Sequence, residues 1–342
     1  MIALDWFVSV LVNGTLFAAL VWIASVTCLR AASGRLMSLV WLAALAQFMW
    51  WRPIAWPSQP LSAASVGDLQ LRAADASAGI GLLLAYLAIV GLLWARLLWG
   101  HVQLRGALMR LEAADPILSR YVHEAAAALR LRTIPELRMT DERVAPYSVG
   151  PLRPLLVLPR FLCEPGPRLH AILLHELAHI ARRDHVVLWI ERAIRSVFFF
   201  WPPVHFVANK LGEARELACD ERAIASADLC PVEYARVLVE VMALTRAPRR
   251  SEVLAMGRGA RLLSRRVERI LAGAWSRPLR AAQQLALLLL TAAAVVGVRF
   301  ETLRVATSQD ELALPACDGS AMSPPPPTAA GASASAALQC GS

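Results

Sequence analysis

His175-Glu176-Leu177-Ala178-His179 puts two imidazoles and a carboxylate within five residues. The run lies in Arg168 to Asp184, which has neither Gly nor Pro and whose apolar residues recur at helical spacing. On a helix, residues i and i+4 share a face, so His175 and His179 can grip one Zn²⁺. Glu176, one residue's rotation away, reaches a metal-bound water and serves as general base. Zinc lowers that water's pKa to about 7, and the hydroxide formed attacks a polarised carbonyl. With only 7 His in 342 residues, chance would place such a motif in the chain roughly 0.7% of the time, so the reading of a polar helix face without chemistry starts weak.

A catalytic zinc needs a third protein ligand and an open position. His185 stands six residues after His179, but Arg182 occupies the place where a glycine would let the chain turn back. A helix that simply continues carries His185 through about 240°, away from the metal face. The other candidates lie in Glu213-Ala214-Arg215-Glu216-Leu217-Ala218-Cys219-Asp220. Glu216 and Asp220 share a helical face, so one carboxylate could bind zinc while the other orients a histidine. Glu213 and Glu221 are rivals that spacing leaves open, and a solvated acidic face is the commoner meaning of such a run by itself.

The elements that must hold these residues belong to an apolar chain. It is 57% hydrophobic and 18% charged, against about 25% charged in soluble globular proteins. The net charge of +9 fits the positive-inside bias of membrane proteins, and no basic run interleaved with aromatics points to nucleic acid. Four stretches approach the roughly 20 residues that cross a bilayer: Trp6 to Leu29, Leu36 to about Trp56, Ala76 to Ala95, and Ala281 to Val298. Arg30 and Arg35 mark the first loop, and Arg96, Arg105 and Arg110 follow the third span. This puts the N-terminus outside, the region 100–280 in the cytosol and the C-terminal tail outside. The expected domains are therefore a three-span region 1–99, a cytosolic catalytic domain 100–280, a fourth span 281–298 and a disordered tail 299–342 rich in Pro, Ala and Ser.

Within 100–280, helical patterning to about Arg132 gives way to extended stretches at Glu136 to Thr140 and Leu155 to Leu158, with helices after Pro167. An exposed edge at Leu155 to Leu158 would let a substrate backbone add as a further strand. Val186 to Val207 is apolar but holds Glu191, Arg192 and Arg195, which predicts a helix against the membrane or core rather than a fifth span. Tyr147 and His205 are guesses for the group that stabilises the oxyanion. The six cysteines form no CxxC pair, and Cys317 and Cys340 fall beyond the last expected span, where they either pair or stay free.

HELAHIARRDH at 175–185, FWPP at 200–203, ELACD at 216–220 and PYSVGPLRPLLVLP at 146–159 resemble the BlaR/MecR family of membrane metallopeptidases. The resemblance implies a mostly α membrane protein: four transmembrane helices with a cytosolic α+β gluzincin-like zinc peptidase domain between the third and fourth. It selects Glu216 as the third ligand beside His175 and His179, with Glu176 as base and Asp220 orienting a ligand. It implies a multi-pass protein of the bacterial inner membrane, its active site cytoplasmic and both termini extracytoplasmic. It further implies an antirepressor that cuts a cytosolic winged-helix repressor at the membrane; whether the chain forms a homodimer is left open by the sequence. The family's penicillin-binding sensor domain has no counterpart in the tail, so direct β-lactam sensing is not expected. A quality-control protease of the HtpX and CAAX-protease type is the alternative, and a non-enzymatic membrane adaptor the third reading.

Overall fold

The computed structural model describes residues 2–49, 66–150, 153–227, 229–245, 253–273 and 281–296. Uncharged sequence after Asp5 forms α1 (Ile2–Val26). A short loop leads to α2 (Gly34–Gln47), which opens where the Ser33 hydroxyl accepts the Leu36 N–H at 3.3 Å. α3 (Val66–Leu108) is the longest helix among the described residues. Its stretch Gly79–Leu108 is, among them, the one helix long and apolar enough to cross a membrane, judged by length and composition. Val10–Val26 is a shorter apolar helix.

β1 (Glu112–Ala113) precedes α4 (Pro116–Ala128), which Asp115 caps through the Ile117 N–H at 3.1 Å. Then come β2 (Glu136–Thr140), β3 (Tyr147–Val149) and β4 (Leu155–Pro159). The sheet order is β1-β2-β4-β3, with β2 and β4 parallel and both outer pairs antiparallel. Both extended stretches read from sequence are strands, but the expectation of a free edge at Leu155 to Leu158 is wrong. β4 is central and buried along its whole length, which is what an unbroken run of Leu and Val signals, since a strand covered on both faces needs no polar alternation. The free edge on that side of the sheet belongs to β3.

Helices follow. α5 (Pro167–Ala181) carries the HExxH run, with Pro167 in its first turn, where a missing N–H costs nothing. α6 (Asp184–Val197) and α7 (Pro202–Ala227) divide the apolar segment 186–207 at Pro202, which cannot continue α6 but opens α7. Glu191 is buried there because Arg195 and Arg215 each approach it to 3.0 Å. α8 (Pro231–Leu244), α9 (Val253–Ala272) and α10 (Ala281–Val296) complete the described chain. The far end of the second expected span, residues 297–298 and the tail with Cys317 and Cys340 lie outside the described residues.

Two large apolar cores, and a small one of Leu108, Leu155 and Val157, organise these elements among the described residues. One gathers Leu156, Leu158, Leu173, Leu177 and Tyr234 around α5 and the sheet. The other joins α1 and α2 to the first half of α7 through Val21, Trp41, Leu45, Val207 and Leu211. α7 belongs to both, since Cys219, Ala223 and Ile224 of its second half enter the α5 core. α2 meets α7 at Gly34, where a Cβ would lie 2.5 Å from the Ala218 backbone nitrogen, so only glycine permits this approach. The Gly34 N–H also donates to Glu221 Oε1 at 2.7 Å.

Candidate metal centre

His175 and His179 lie one turn apart on α5, their rings perpendicular at 5.1 Å. Glu216 of α7 faces both: its carboxylate oxygens lie 3.6 Å from His175 Nε2 and 3.7 Å from His179 Nε2. Tetrahedral zinc with bonds of about 2.1 Å holds its ligand atoms about 3.4 Å apart, so this set fits the ion within a small adjustment. Two imidazole nitrogens and a carboxylate also match the donor type, and they leave a fourth position open.

Both Nδ1 atoms already have partners, which turns each Nε2 toward the shared centre. His179 Nδ1 lies 2.9 Å from Asp184 Oδ2, with Cys219 Sγ at 3.2 Å. His175 Nδ1 lies 3.1 Å from Asp220 Oδ1 and 3.0 Å from the Tyr234 hydroxyl, which itself donates to Asp220 Oδ1 at 2.9 Å. Arg266 of α9 grips Asp220 with two bonds of 2.8 and 2.7 Å and reaches Glu216 Oε2 at 3.3 Å.

The charges follow from these contacts. Burial alone would lower the His175 pKa, but the bonds to Asp220 and Glu216 outweigh it and raise the pKa to about 9. Burial pushes Asp220 and Glu216 up, yet Arg266 holds Asp220 below the ordinary carboxylate range and the histidines do the same for Glu216. Glu176 behaves differently. Burial raises it, and His175 and His179 only partly oppose that, so it holds a proton more readily than an exposed Glu. A raised carboxyl pKa suits a group that must accept a proton and then give it up.

A cavity of about 410 Å³ opens on this cluster, and Glu176, Tyr147, Ser148, His185 and Arg215 also line it. His185 is turned to Ser148 Oγ at 2.9 Å and does not join the His175, His179 and Glu216 group. Arg183 adopts a left-handed conformation (φ 58°) and breaks the helix, so the chain does turn, but the turn delivers Asp184 to His179 and sends His185 to β3. Of the rival carboxylates, Glu213 pairs with Lys210 and Arg265, and Glu221 with Gly34 and Arg269. Tyr147 faces the cavity, whereas His205 Nε2 is bonded to the Phe199 carbonyl and does not line it. Sequence reading missed Asp184, Tyr234 and Arg266. Asp184 carried a local signal, five residues beyond His179.

The family model of the BlaR1 peptidase, M56, matches residues 68–270, more than half of the chain. The chain belongs to the BlaR1 peptidase M56 family. A curated relative, the regulatory protein BlaR1 of Bacillus licheniformis, is 27% identical over 77 residues, which are 22% of this chain and 13% of that protein. The matched segment is thus a small part of the relative's length. Membership of M56 makes the cavity between α5 and α7 the place to look for peptide hydrolysis, because it holds the HExxH residues.

Proposed function

We propose that this M56 chain is a multi-pass zinc metalloendopeptidase of the bacterial inner membrane, with four spans, a cytoplasmic active site and both termini outside. Its substrate is a cytosolic protein, a transcriptional repressor in a signalling pathway. The observation that carries the reading is the convergence of His175, His179 and Glu216 on one centre beside a cavity that Glu176 also lines. Held by those three side chains, Zn²⁺ would supply Lewis acidity that polarises the scissile carbonyl and acidifies water.

The remaining work falls to the chain. Asp184 and Asp220 hold the two imidazoles by Nδ1, so that each presents Nε2. The Glu176 carboxylate takes a proton from the attacking water and passes it to the departing amide nitrogen. β3 offers its free edge beside the cavity, where an extended substrate backbone would add as a strand. Tyr147, on that strand, lines the cavity and is the hydroxyl we assign to meet the carbonyl oxygen.

The test compares new protein N-termini in cells that express wild type or Glu176→Gln, which keeps the zinc-binding residues but removes the base. Wild-type-only cleavage of one DNA-binding repressor supports the proposal. Cleavage of many unrelated membrane proteins would replace signalling with quality control. Identical termini in both, with zinc retained, would overturn the enzymatic reading.

A further inference from the structure

A second cavity, of about 770 Å³, lies on the other side of Asp184, between α2 and the α5, α6 and α7 helices. Four guanidinium groups line it, those of Arg35, Arg182, Arg215 and Arg222, against the two carboxylates of Asp184 and Glu221. Asp184 is already engaged by His179, and Glu221 by the Gly34 N–H and Arg269. Arg182 spends its contacts on Asp184 and on Ser38 Oγ at 3.0 Å. Arg215 pairs with Glu191 through Nη2 at 3.0 Å, while its Nη1 is buried without a hydrogen-bond partner. Arg222 has one long bond, to the Leu129 carbonyl at 3.4 Å, and its charged form is disfavoured by burial and then by Arg182 and Arg35. Arg35 and Arg222 are exposed and Arg182 and Arg215 half-buried behind them, so four crowded guanidinium groups with one unused donor form a site that suits an anion such as phosphate, which a guanidinium can grip with two bonds.

The rest of the lining narrows the ligand. Leu39 and Leu42 of α2 form an apolar rim, and Leu39 is 57% exposed. Arg30 in the loop before α2 and Arg35 in its first turn are the basic pair that the positive-inside reading puts at the cytoplasmic membrane surface. An ionic floor under an apolar rim suits an amphiphile, and a free phosphate would leave the rim unused.

We propose that this cavity binds the phosphate headgroup of an anionic phospholipid, with its acyl chains against Leu39 and Leu42. The proposal rests on the reading that α1 and α2 lie in a bilayer. The headgroup would sit one side chain from the metal centre, because Asp184 and Arg215 line both cavities.

The experiment uses the full chain in nanodiscs of phosphatidylcholine with a minority of phosphatidylglycerol, released for native mass spectrometry. Wild type should retain phosphatidylglycerol well above its share. Arg35→Gln with Arg222→Gln should cut that enrichment about tenfold or more, and exposed Arg35→Gln alone about fivefold, which covers a double variant that fails to fold. Arg120→Gln, an exposed change of equal charge on α4, should leave it unaltered. Retention of the two lipids in proportion, or equal enrichment in wild type and Arg35→Gln, overturns the proposal. So does full displacement of phosphatidylglycerol by inorganic phosphate, which would make the ligand a free anion. A chain that never enters nanodiscs defeats the membrane reading itself, a result distinct from loss of lipid preference.

Discussion

His175 and His179 occupy the same face of one helix and turn the same nitrogen to Glu216, yet they are supported in unlike ways. His179 leans mainly on a near neighbour, Asp184, five residues on and steadied by Arg182, and Cys219 of α7 adds a contact from farther along the chain. His175 leans on three distant helices, through Asp220 of α7, Tyr234 of α8 and Arg266 of α9. The local arrangement forms once one helix ends correctly. The distant one forms only when the whole helical layer has closed, so half of the metal site reports on tertiary structure.

The change that breaks this contrast most is Asp220→Ala. It strands the buried Arg266 charge and should cost about 3–5 kcal/mol of stability in a denaturant titration. Adding Arg266→Met should recover much of that loss, whereas no recovery would mean that the pair is not what holds α9 in place. A pH series sharpens the same half of the site. In metal-stripped protein, the His175 pKa of about 9 lies above the unfolded value near 6.5, so its contribution to stability is complete below about pH 6.5 and disappears as pH rises through about 9. Thermal melts should show that slope, and Asp220→Ala should flatten it. On the local side, Asp184→Asn should weaken zinc binding about 10- to 100-fold in a chelator competition, while its melting curve shifts much less than that of Asp220→Ala. Tyr234→Phe removes one hydroxyl from a buried network and should cost about 1 kcal/mol, the smallest effect in the series.

The same contrast explains what could be read from the sequence. Periodicity put His175 and His179 on one face and Glu216 and Asp220 on another, and the structure brings the two faces together. Arg183 hid the role of Asp184, because a left-handed turn made by a residue other than glycine leaves no signal in composition. Tyr234 and Arg266 were beyond reach, since nothing in their neighbourhoods encodes a partner 59 or 91 residues away. In the sheet, both long strands were legible, β4 as an apolar run and β2 as a short alternating stretch, with turn-prone residues between them. The place of β4 in the order was not, and the substrate edge was therefore assigned to a strand whose both sides are taken.

α7 has 26 residues and is about 39 Å long, a stiff rod by the standard of side-chain contacts. Its first half is gripped by α1 and α2, and its second half by the peptidase core. Glu216 lies close to where Gly34 touches Ala218, with no side chain between the two backbones to cushion them. The arrangement is mechanically a beam resting on a hard pivot, with the third ligand mounted beside the pivot. A small rocking of α1 and α2 would re-aim the carboxylate of Glu216 while the two histidines stayed fixed on α5.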